Sequence, residues 1–496
     1  MNPADYVGLF KLALPEAVLA GAMLAVLAVD LLVMRGLDRS NRRLVAAALS
    51  AVGCVLAALV TGAGRGSAAE GAVLMADPLS VIVQVALLGL AVFTVGVSTA
   101  RDVGEHVGEY YALVLLATIG MLFLVASEHL LMIFVSLELT SLALYVLAGL
   151  NKHDPRSVEA ALKYFLYGSV ASAFALFGFS LVYGATNALE LREIARVLHG
   201  RPLDAMLAAA LVLVGIGFGF KVAAVPFHLW APDTYQGAPN ASAAFIASSS
   251  KLAGFVILAK VMLLGFPGLA GSGGWRDWTS GWVPLLAVLA VLSMVLGNLA
   301  AIVQRSVKRL LAYSAIAHAG YTLVGVAADN LPGVVAVIYY AVTYAVAALG
   351  AFAVAGMVED ADGDARLEGF AGLGQRSPLM AMCLLVFLLS LAGIPPLAGF
   401  YGKFSLFASA VTPGPGHGLL WLVGVAVLTS AVSLYYYLVV LKQVFVQPPA
   451  EGAGPIQPGR TLEWAVVLMA LVVVALGCLP DLIVARLNVA VTAAGW

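Results

Sequence analysis

Charge is what this sequence has least of. Asp, Glu, Lys and Arg make up 11% of its 496 residues, while 62% are hydrophobic; soluble domains carry roughly 25% charged residues. At a mean hydropathy of +1.00 there is too little polar surface to clothe a water-soluble core, so an integral membrane protein is expected. A net charge of −1 excludes a nucleic-acid binder, which needs a basic face. Cysteine is scarce too. Cys54, Cys383 and Cys478 stand singly in apolar runs, without a pair motif or the spacing of a zinc or iron–sulfur site, which leaves them as small packing residues. The start, MNPADYVGLFKLALPEAV, has no basic segment and no small-residue cleavage site, so no signal peptide is expected to be removed. No His-x-x-x-His or acid–His spacing points to a metal. GIGFGF at 215–220 lacks the preceding strand that a dinucleotide loop requires.

What is present is a succession of apolar runs of spanning length, about 20 residues each. Fourteen are expected, near 12–34, 43–62, 78–99, 110–127, 129–150, 159–184, 205–229, 240–265, 282–304, 308–327, 332–357, 378–407, 418–446 and 462–485. This is an all-α polytopic membrane protein with short links and no room for a soluble domain. Four parts are expected: a three-helix segment at 1–100, repeats at 110–265 and 282–446, and a C-terminal transmembrane helix within 462–496. Links after odd-numbered spans hold fourteen Lys and Arg: Arg35, Arg39, Arg42, Arg43, Arg101, Lys152, Arg156, Arg305, Lys308, Arg309, Arg366, Arg376, Lys442 and Arg460. Links after even-numbered spans, with the tail, hold six: Arg65, Arg192, Arg196, Arg201, Arg276 and Arg486. The bias puts the odd links in the cytoplasm and both termini on the other side. The arginines at 192–201 run against it.

A weak internal repeat supports the two-part division. ELTSLALYVLAG at 138–149 resembles SAIAHAGYTLVG at 314–325, at an offset of 176, and the same offset sets Tyr164 on Tyr340 and Ala160 on Ala336. Spans five and six thus map onto ten and eleven. Five spans separate the copies, an odd number, so the copies are inverted, as in many transporters. Each copy then meets prolines, in KVAAVPFHLWAP and in LAGIPPLAGFYGKF, where a helix must break.

Against this background four charges are out of place. Glu138 is in the middle of span five, Lys221 lies just before the Pro226 break, Lys251 is central in span eight, and Lys403 follows the break in span twelve. Each costs about 2.5–3.5 kcal/mol at mid-membrane even on lenient scales, so they are expected to face the bundle interior and to find partners or water. Pro226 cannot donate to the helix ladder, and carbonyls such as that of Val222 are freed. A titratable lysine beside a hydrated opening, with Glu138 as movable partner, has the physics of a proton carrier. His228 follows the same break. His318, flanked on its own face by Ser314 and Thr322, is either a satisfied core histidine or a proton relay. Lys163 and Glu159, four residues apart, form either an interfacial ion pair or part of the polar path. Lys260 is expected to snorkel to the interface, and Glu16 and Asp30 to sit near the ends of span one.

FKVAAVPFHLWAPDTYQGAP, SSSKLAGF, SLELTSLALYVLAG, EAALKYFLYGSVASAFALFG, LLAYSAIAHAGY and GIPPLAGFYGKF together resemble the subunit N family of proton-translocating NADH:quinone oxidoreductase, bacterial respiratory complex I. That family belongs to the antiporter-like subunits shared with multi-subunit cation/proton antiporters. The resemblance covers essentially the whole chain. It implies two inverted half-channels, in spans four to eight and nine to thirteen, and proton translocation through Glu138, Lys221, Lys251 and Lys403, with His228, Lys163 and His318 as auxiliary members of the polar axis. It also implies a place in the inner (plasma) membrane among other complex I subunits, especially antiporter-like and small membrane subunits. The quinone pool would be reached only indirectly. No cofactor is expected on this chain, since flavin, iron–sulfur clusters and the quinone pocket would lie on partner subunits. A Na⁺/H⁺ antiporter subunit shares the same fold and charges. A non-pumping structural membrane subunit is the other alternative.

Overall fold

A computed structural model describes residue 8 and residues 10–36, 38–63, 73–100, 106–363, 365–411, 418–450 and 452–496. Arg65 and Arg101, counted for the loop bias, lie outside the described residues, as do residues 1–7 and 9 of the N-terminal stretch read for a signal peptide. Among the described residues the fold is all-helical, with only isolated bridges between extended residues. Among these residues, thirteen helices are long and apolar enough to cross a membrane, and a shorter apolar one, Pro378–Ala392, joins them. The spans are α1 (Leu14–Leu32), α2 (Arg39–Gly62), α3 (Pro78–Ser98), α4 (Val107–Ala126), α5 (Leu130–Ala148), α6 (Pro155–Thr186), α7 (Ala205–Val222 and Trp230–Gly237), α8 (Asn240–Ala259, then a π-turn to Gly265), α9 (Trp282–Ile302), α10 (Val307–Ala327), α11 (Leu331–Asp362), α12 (Pro378–Ala392 and Ala398–Ser409), α13 (Leu420–Phe445) and α14 (Arg460–Cys478). The two pieces of α7 and of α12 are called their first and second halves.

Several boundaries differ from expectation for visible reasons. The run expected at 462–485 stops at Cys478, because Pro480 cannot extend it, and the chain restarts as a short helix, α15 (Asp481–Ala493). The link between α6 and α7 contains an unexpected helix, Leu191–Leu198, whose Leu191, Ile194 and Leu198 form one buried stripe under a charged face; that spacing is the signature of an amphipathic helix.

The inverted repeats α4–α8 and α9–α13 are visible in backbone detail. His129 at the start of α5 bridges Glu190, and Ser306 at the start of α10 bridges Arg366, so the offset of 176 is kept to within one residue. Both broken helices end the same way. Ala223 and Gly393 adopt left-handed φ of 58° and 87°, and the next amide bonds five residues back, Ala224 N–H to Gly219 and Ile394 N–H to Leu389. This is the Schellman pattern that terminates a helix while satisfying its last carbonyls.

Burial sorts the helices. Over their most apolar stretches α8 and α10 are 94% buried and α11 wholly so, whereas α1 and α13 are only 28% buried. The outer helices divide their residues by face. On α5, Leu131, Val135, Leu142 and Val146 form an exposed stripe, while Ser136, Thr140, Ser141 and Tyr145 turn inward. An apolar stripe of this kind suits a lipid-facing wall. Of the unexpected charges, Lys221, Lys251 and Lys403 are buried, while Glu138 is half-buried between α5, α6 and α7.

Two charge expectations need correction or refinement. Lys260 does not snorkel. It is fully buried, 3.5 Å from the Asp77 carboxylate, and donates to Ser80 Oγ at 2.9 Å and the Val125 carbonyl at 2.8 Å. Its depth along α8 was readable, but not that α3 and α4 close over it. Asp77, in the link before α3, is itself partly desolvated, which raises its carboxyl pKa. The Lys260 charge and the Ser80 hydrogen bonds outweigh that, so it sits below the usual carboxylate value. Glu16 and Asp30 do lie in the first and last turns of α1, but both are buried and paired. Gln84 donates to Glu16 at 3.1 Å, and Arg42 grips Asp30 with two bonds of 2.9 and 2.8 Å.

Candidate functional site

The first part of the site forms where α5 meets the break in α7. Lys221 is in the last turn of the first half of α7, where the negative end of the helix dipole favours a cation. Its stem lies against α8 at Gly254, where an added Cβ would stand 3.2 Å from Lys221 Cγ, so glycine there is what lets the side chain pass. The ammonium donates to Ser141 Oγ on α5 at 3.2 Å. Glu138, one turn earlier on α5, leaves Oε1 buried without a hydrogen-bond partner. Among the described residues no ion pair joins Glu138 to Lys221. Both line a cavity of about 20 Å³ with Ser141, Ser172 and Phe220, and a cavity of that size holds about one water.

The break itself is satisfied by side chains. Val225 N–H donates to Ser293 Oγ at 2.9 Å, and Trp230 Nε1–H to the Phe220 carbonyl at 3.2 Å. Trp230 stacks on Tyr164 at 4.2 Å, covering the opening. His228 lies in this opening, buried, with Nδ1 unpartnered.

The second part joins α8, α10, α11, α12 and α13. Lys251 donates to the Ala315 carbonyl at 2.5 Å and lies 5.8 Å from the Tyr344 ring centre. It shares a cavity of about 10 Å³ with His318, Thr322 and Tyr344. His318 is held between two phenols, Tyr340 at Nδ1 and Tyr437 at Nε2, the latter at 3.0 Å; Tyr437 in turn meets Ser314. A neutral imidazole has one donor and one acceptor nitrogen, so one phenol must donate to it and the other accept. Thr322 bonds only backbone, the His318 carbonyl at 2.9 Å.

Lys403 folds back from the second half of α12 to the end of the first, donating to the Ala392 carbonyl at 3.1 Å and to Ser430 Oγ at 2.9 Å. It too sits at a helix C-terminus, the favourable end for a cation. Its ammonium is 4.9 Å from the Tyr321 ring centre, and the Tyr321 ring meets the His318 ring edge-on at 5.7 Å. Asn298 joins the Tyr321 and Tyr436 hydroxyls, each at 3.0 Å.

Lys251, His318 and Lys403 are thus brought into one buried polar cluster, and Lys221 and Glu138 into another across α8. Lys163 is in neither. Partly exposed, it bonds Glu159 and Asp233, each at 2.6 Å, and Asp233 also holds Arg309 at 2.6 Å, so this ionic chain ties α6, the second half of α7 and α10 together. Sequence reasoning missed Ser141, Tyr321, Tyr340, Tyr344, Tyr437, Asn298 and Ser430. Tyr340 and Tyr344 stand four apart, one face of a helix, and that spacing was the available signal.

The family described as "NADH:quinone oxidoreductase/Mrp antiporter, TM" matches residues 127–431, a stretch that holds the whole of both clusters except Tyr436 and Tyr437. The chain is 48% identical over 493 residues to "NADH-quinone oxidoreductase subunit N 2" of Acidobacterium capsulatum, covering 97% of this chain and 99% of that one. It superposes on a chain of respiratory complex I from Thermus thermophilus, solved with bound aureothin, with a TM-score of 0.77 and 35% identity over 95% of this chain and 99% of the other. The fold is also that of a chain in the Mrp complex from Dietzia sp. DQ12-45-1b, with a TM-score of 0.81 at 22% identity, covering 97% of each chain.

Proposed function

The chain belongs to the subunit N family of NADH-quinone oxidoreductase, and on that premise we propose that it carries protons across the membrane through Glu138, Lys221, Lys251, His318 and Lys403. The movement is driven by NADH oxidation and quinone reduction in other subunits of the complex. Flavin, iron–sulfur clusters and the quinone pocket lie on those subunits. The neighbours in the membrane are other antiporter-like and small membrane subunits. The odd-numbered links face the cytoplasm, and residues 110–265 and 282–446 act as the two half-channels.

One observation carries the reading. Lys221, Lys251 and Lys403 are 2–4% exposed, yet each ammonium is bound to a neutral oxygen, and none has a carboxylate ion-pair partner among the described residues. An uncompensated cation inside a membrane costs several kcal/mol. Lysine, unlike arginine, can shed that cost by passing its proton on. Two neighbouring ammonium groups at low dielectric repel strongly, so a proton arriving on Lys251 favours release from Lys403. Between them His318 takes a proton at one nitrogen and gives one from the other, its phenol partners serving as donor and acceptor. On the other side of α8, a water in the cavity beside Ser141 connects Glu138 to Lys221. His228 and Lys163 act outside this line. His228 serves the hydrated break, and Lys163 the ionic chain between the two repeats.

The experiment is proton uptake per NADH oxidised by the reconstituted complex. Lys251→Ala is expected to abolish most of the uptake while NADH oxidation with artificial acceptors continues. Wild-type uptake by the fully assembled variant overturns the proposal, and uptake that requires sodium selects ion exchange instead.

A further inference from the structure

A sizeable cavity lies apart from the lysine clusters, at the end of the bundle where the even-numbered helices begin. It holds about 430 Å³, within the roughly 300–1,000 Å³ of small-molecule sites. Helix starts make much of its wall. Arg39 opens α2, His106 caps α4, Asp154 caps α6, Pro239 caps α8, and Lys308 is in the first turn of α10. A helix start carries about half a positive charge, and its first amides point outward without intrahelical partners. Neither His106 nor Pro239 supplies a side-chain cap, although the Gly108 amide in the first turn of α4 already donates to Asp30 at 3.3 Å.

Side chains add to this field. The acids that line the cavity are engaged: Asp154 accepts the Arg156 amide at 2.9 Å, Glu359 takes Lys308 at 3.1 Å, and Asp360 accepts from Asn240 at 3.5 Å. The cations at the rim are less so. Lys152 reaches only His106 Nε2 at 3.5 Å, and the Arg156 side chain has no hydrogen bond or ion pair among the described residues. Inside, the Tyr110 phenol is buried and lines the cavity; its hydroxyl makes no well-aligned hydrogen bond among the described residues, with only the Ser98 and Ser242 hydroxyls in loose reach. An unpaired buried hydroxyl costs on the order of 1–3 kcal/mol, which a bound acceptor would return. Fixed cations on this wall, Arg39, Lys152, Arg156 and Lys308, outnumber the carboxylates Asp154, Glu359 and Asp360, while Leu150 and Met357 add apolar wall.

We propose that this cavity binds a phosphate ester, with the phosphoryl oxygens held by Arg156, Lys152 and the starts of α4 and α8, and the carbon part against Leu150 and Met357. A guanidinium fork matches phosphate oxygens in pairs, and basic pockets between transmembrane helices suit phospholipid headgroups. A membrane glycerophospholipid and a soluble phosphate ester present the same group.

The test uses the intact purified complex with two probes. Phosphatidylglycerol retained on this subunit is counted by native mass spectrometry, and glycerol 3-phosphate binding is measured by calorimetry. Lys152→Gln with Arg156→Gln is expected to weaken whichever probe binds by about tenfold or more, the loss expected for charge-assisted bonds. Retained phosphatidylglycerol identifies a lipid source, and glycerol 3-phosphate binding without lipid retention a soluble one. No binding of either probe, or binding equal in wild type and double variant, overturns the proposal. Tyr110→Phe, which removes a buried hydroxyl at the cavity wall and only loose contacts to Ser98 and Ser242, gives a second reading if the double variant fails to assemble. Severalfold weaker binding supports the site, and unchanged binding overturns it.

Discussion

Among the described residues Ser141 is the only side chain that holds the Lys221 ammonium, which makes it the sharpest probe of that lysine. A hydrogen bond to a charged group is worth about 1.5–3 kcal/mol, so Ser141→Ala is expected to slow proton uptake about tenfold or more, with the complex assembled and NADH oxidation by artificial acceptors intact. Uptake unchanged by Ser141→Ala would mean that Lys221 does not work from the observed position. Lys221→Ala is expected to do at least as much harm, and Lys221→Arg to fail as well, because guanidinium does not release its proton. Glu138 reaches Lys221 only across the small cavity, so its effect should run through the same step. Glu138→Gln should impair uptake, and adding it to Lys221→Ala should cost little more, since each change alone breaks the unit. Effects that add in log rate would separate the two residues. At His318 the comparison is Tyr437→Phe, which leaves Nε2 and Ser314 without the shared hydroxyl. A slower uptake that Tyr340→Phe reproduces would support passage through the imidazole, whereas wild-type rates in both variants would leave His318 a packing residue.

At the scale of helices, the Asp77–Lys260 pair fastens α3 to the π-turn after α8. Breaking a buried pair from one side leaves a bare charge and costs about 3–5 kcal/mol, so Asp77→Asn is expected to lower the thermal stability of the subunit in the complex and to reduce its assembly. A melting midpoint equal to wild type would show that the pair is not holding these helices. The sign of the pH dependence follows from Asp77 sitting below the usual carboxylate value. Its contribution is complete above the unfolded-state value near 3.9 and fades only as acid titrates the folded carboxyl, so neutral pH should not weaken the contact. Lys260 also shows what a single chain conceals. Its apolar surroundings and its place near the end of a run were plain, but its partner lies in another helix, and only packing brings Asp77 to it. The tyrosines were hidden differently. In an apolar run a tyrosine reads as hydrophobic bulk, and whether its hydroxyl meets His318 depends on how α10, α11 and α13 cross. The breaks were legible because proline acts locally: Pro226 and the prolines of LAGIPPLAG interrupt a helix whatever packs around them. The charges at Glu138, Lys221, Lys251 and Lys403 were legible for a related reason, since their cost in a membrane does not depend on knowing their neighbours.

For the molecule as a whole, the question left by the loop charges is which face is cytoplasmic. Two of the three arginines that run against the bias, Arg192 and Arg201, have structural work on their own face. Arg192 binds Glu128 at 2.9 Å and the Ala494 carbonyl at 2.6 Å, tying the helix Leu191–Leu198 to the chain end, and Arg201 holds the Ala185 carbonyl at 2.9 Å. These two are there for contacts, and the charge rule, which counts Lys and Arg over all short links, still favours the odd links by fourteen to six. Arg196, on the even side, and Arg305, on the odd side, are both exposed and can be replaced singly by cysteine. Cys54 and Cys383 are buried and Cys478 is exposed, so the background is controlled by carrying Cys478→Ser in both variants. With a membrane-impermeant maleimide, Arg196→Cys is expected to label in right-side-out vesicles, and Arg305→Cys only in inside-out ones. The reverse pattern would turn the molecule over. It would also place the cavity around Lys152 and Arg156 on the outer face, so that the phosphate ester it is proposed to hold would have to come from outside the cell or from the outer leaflet.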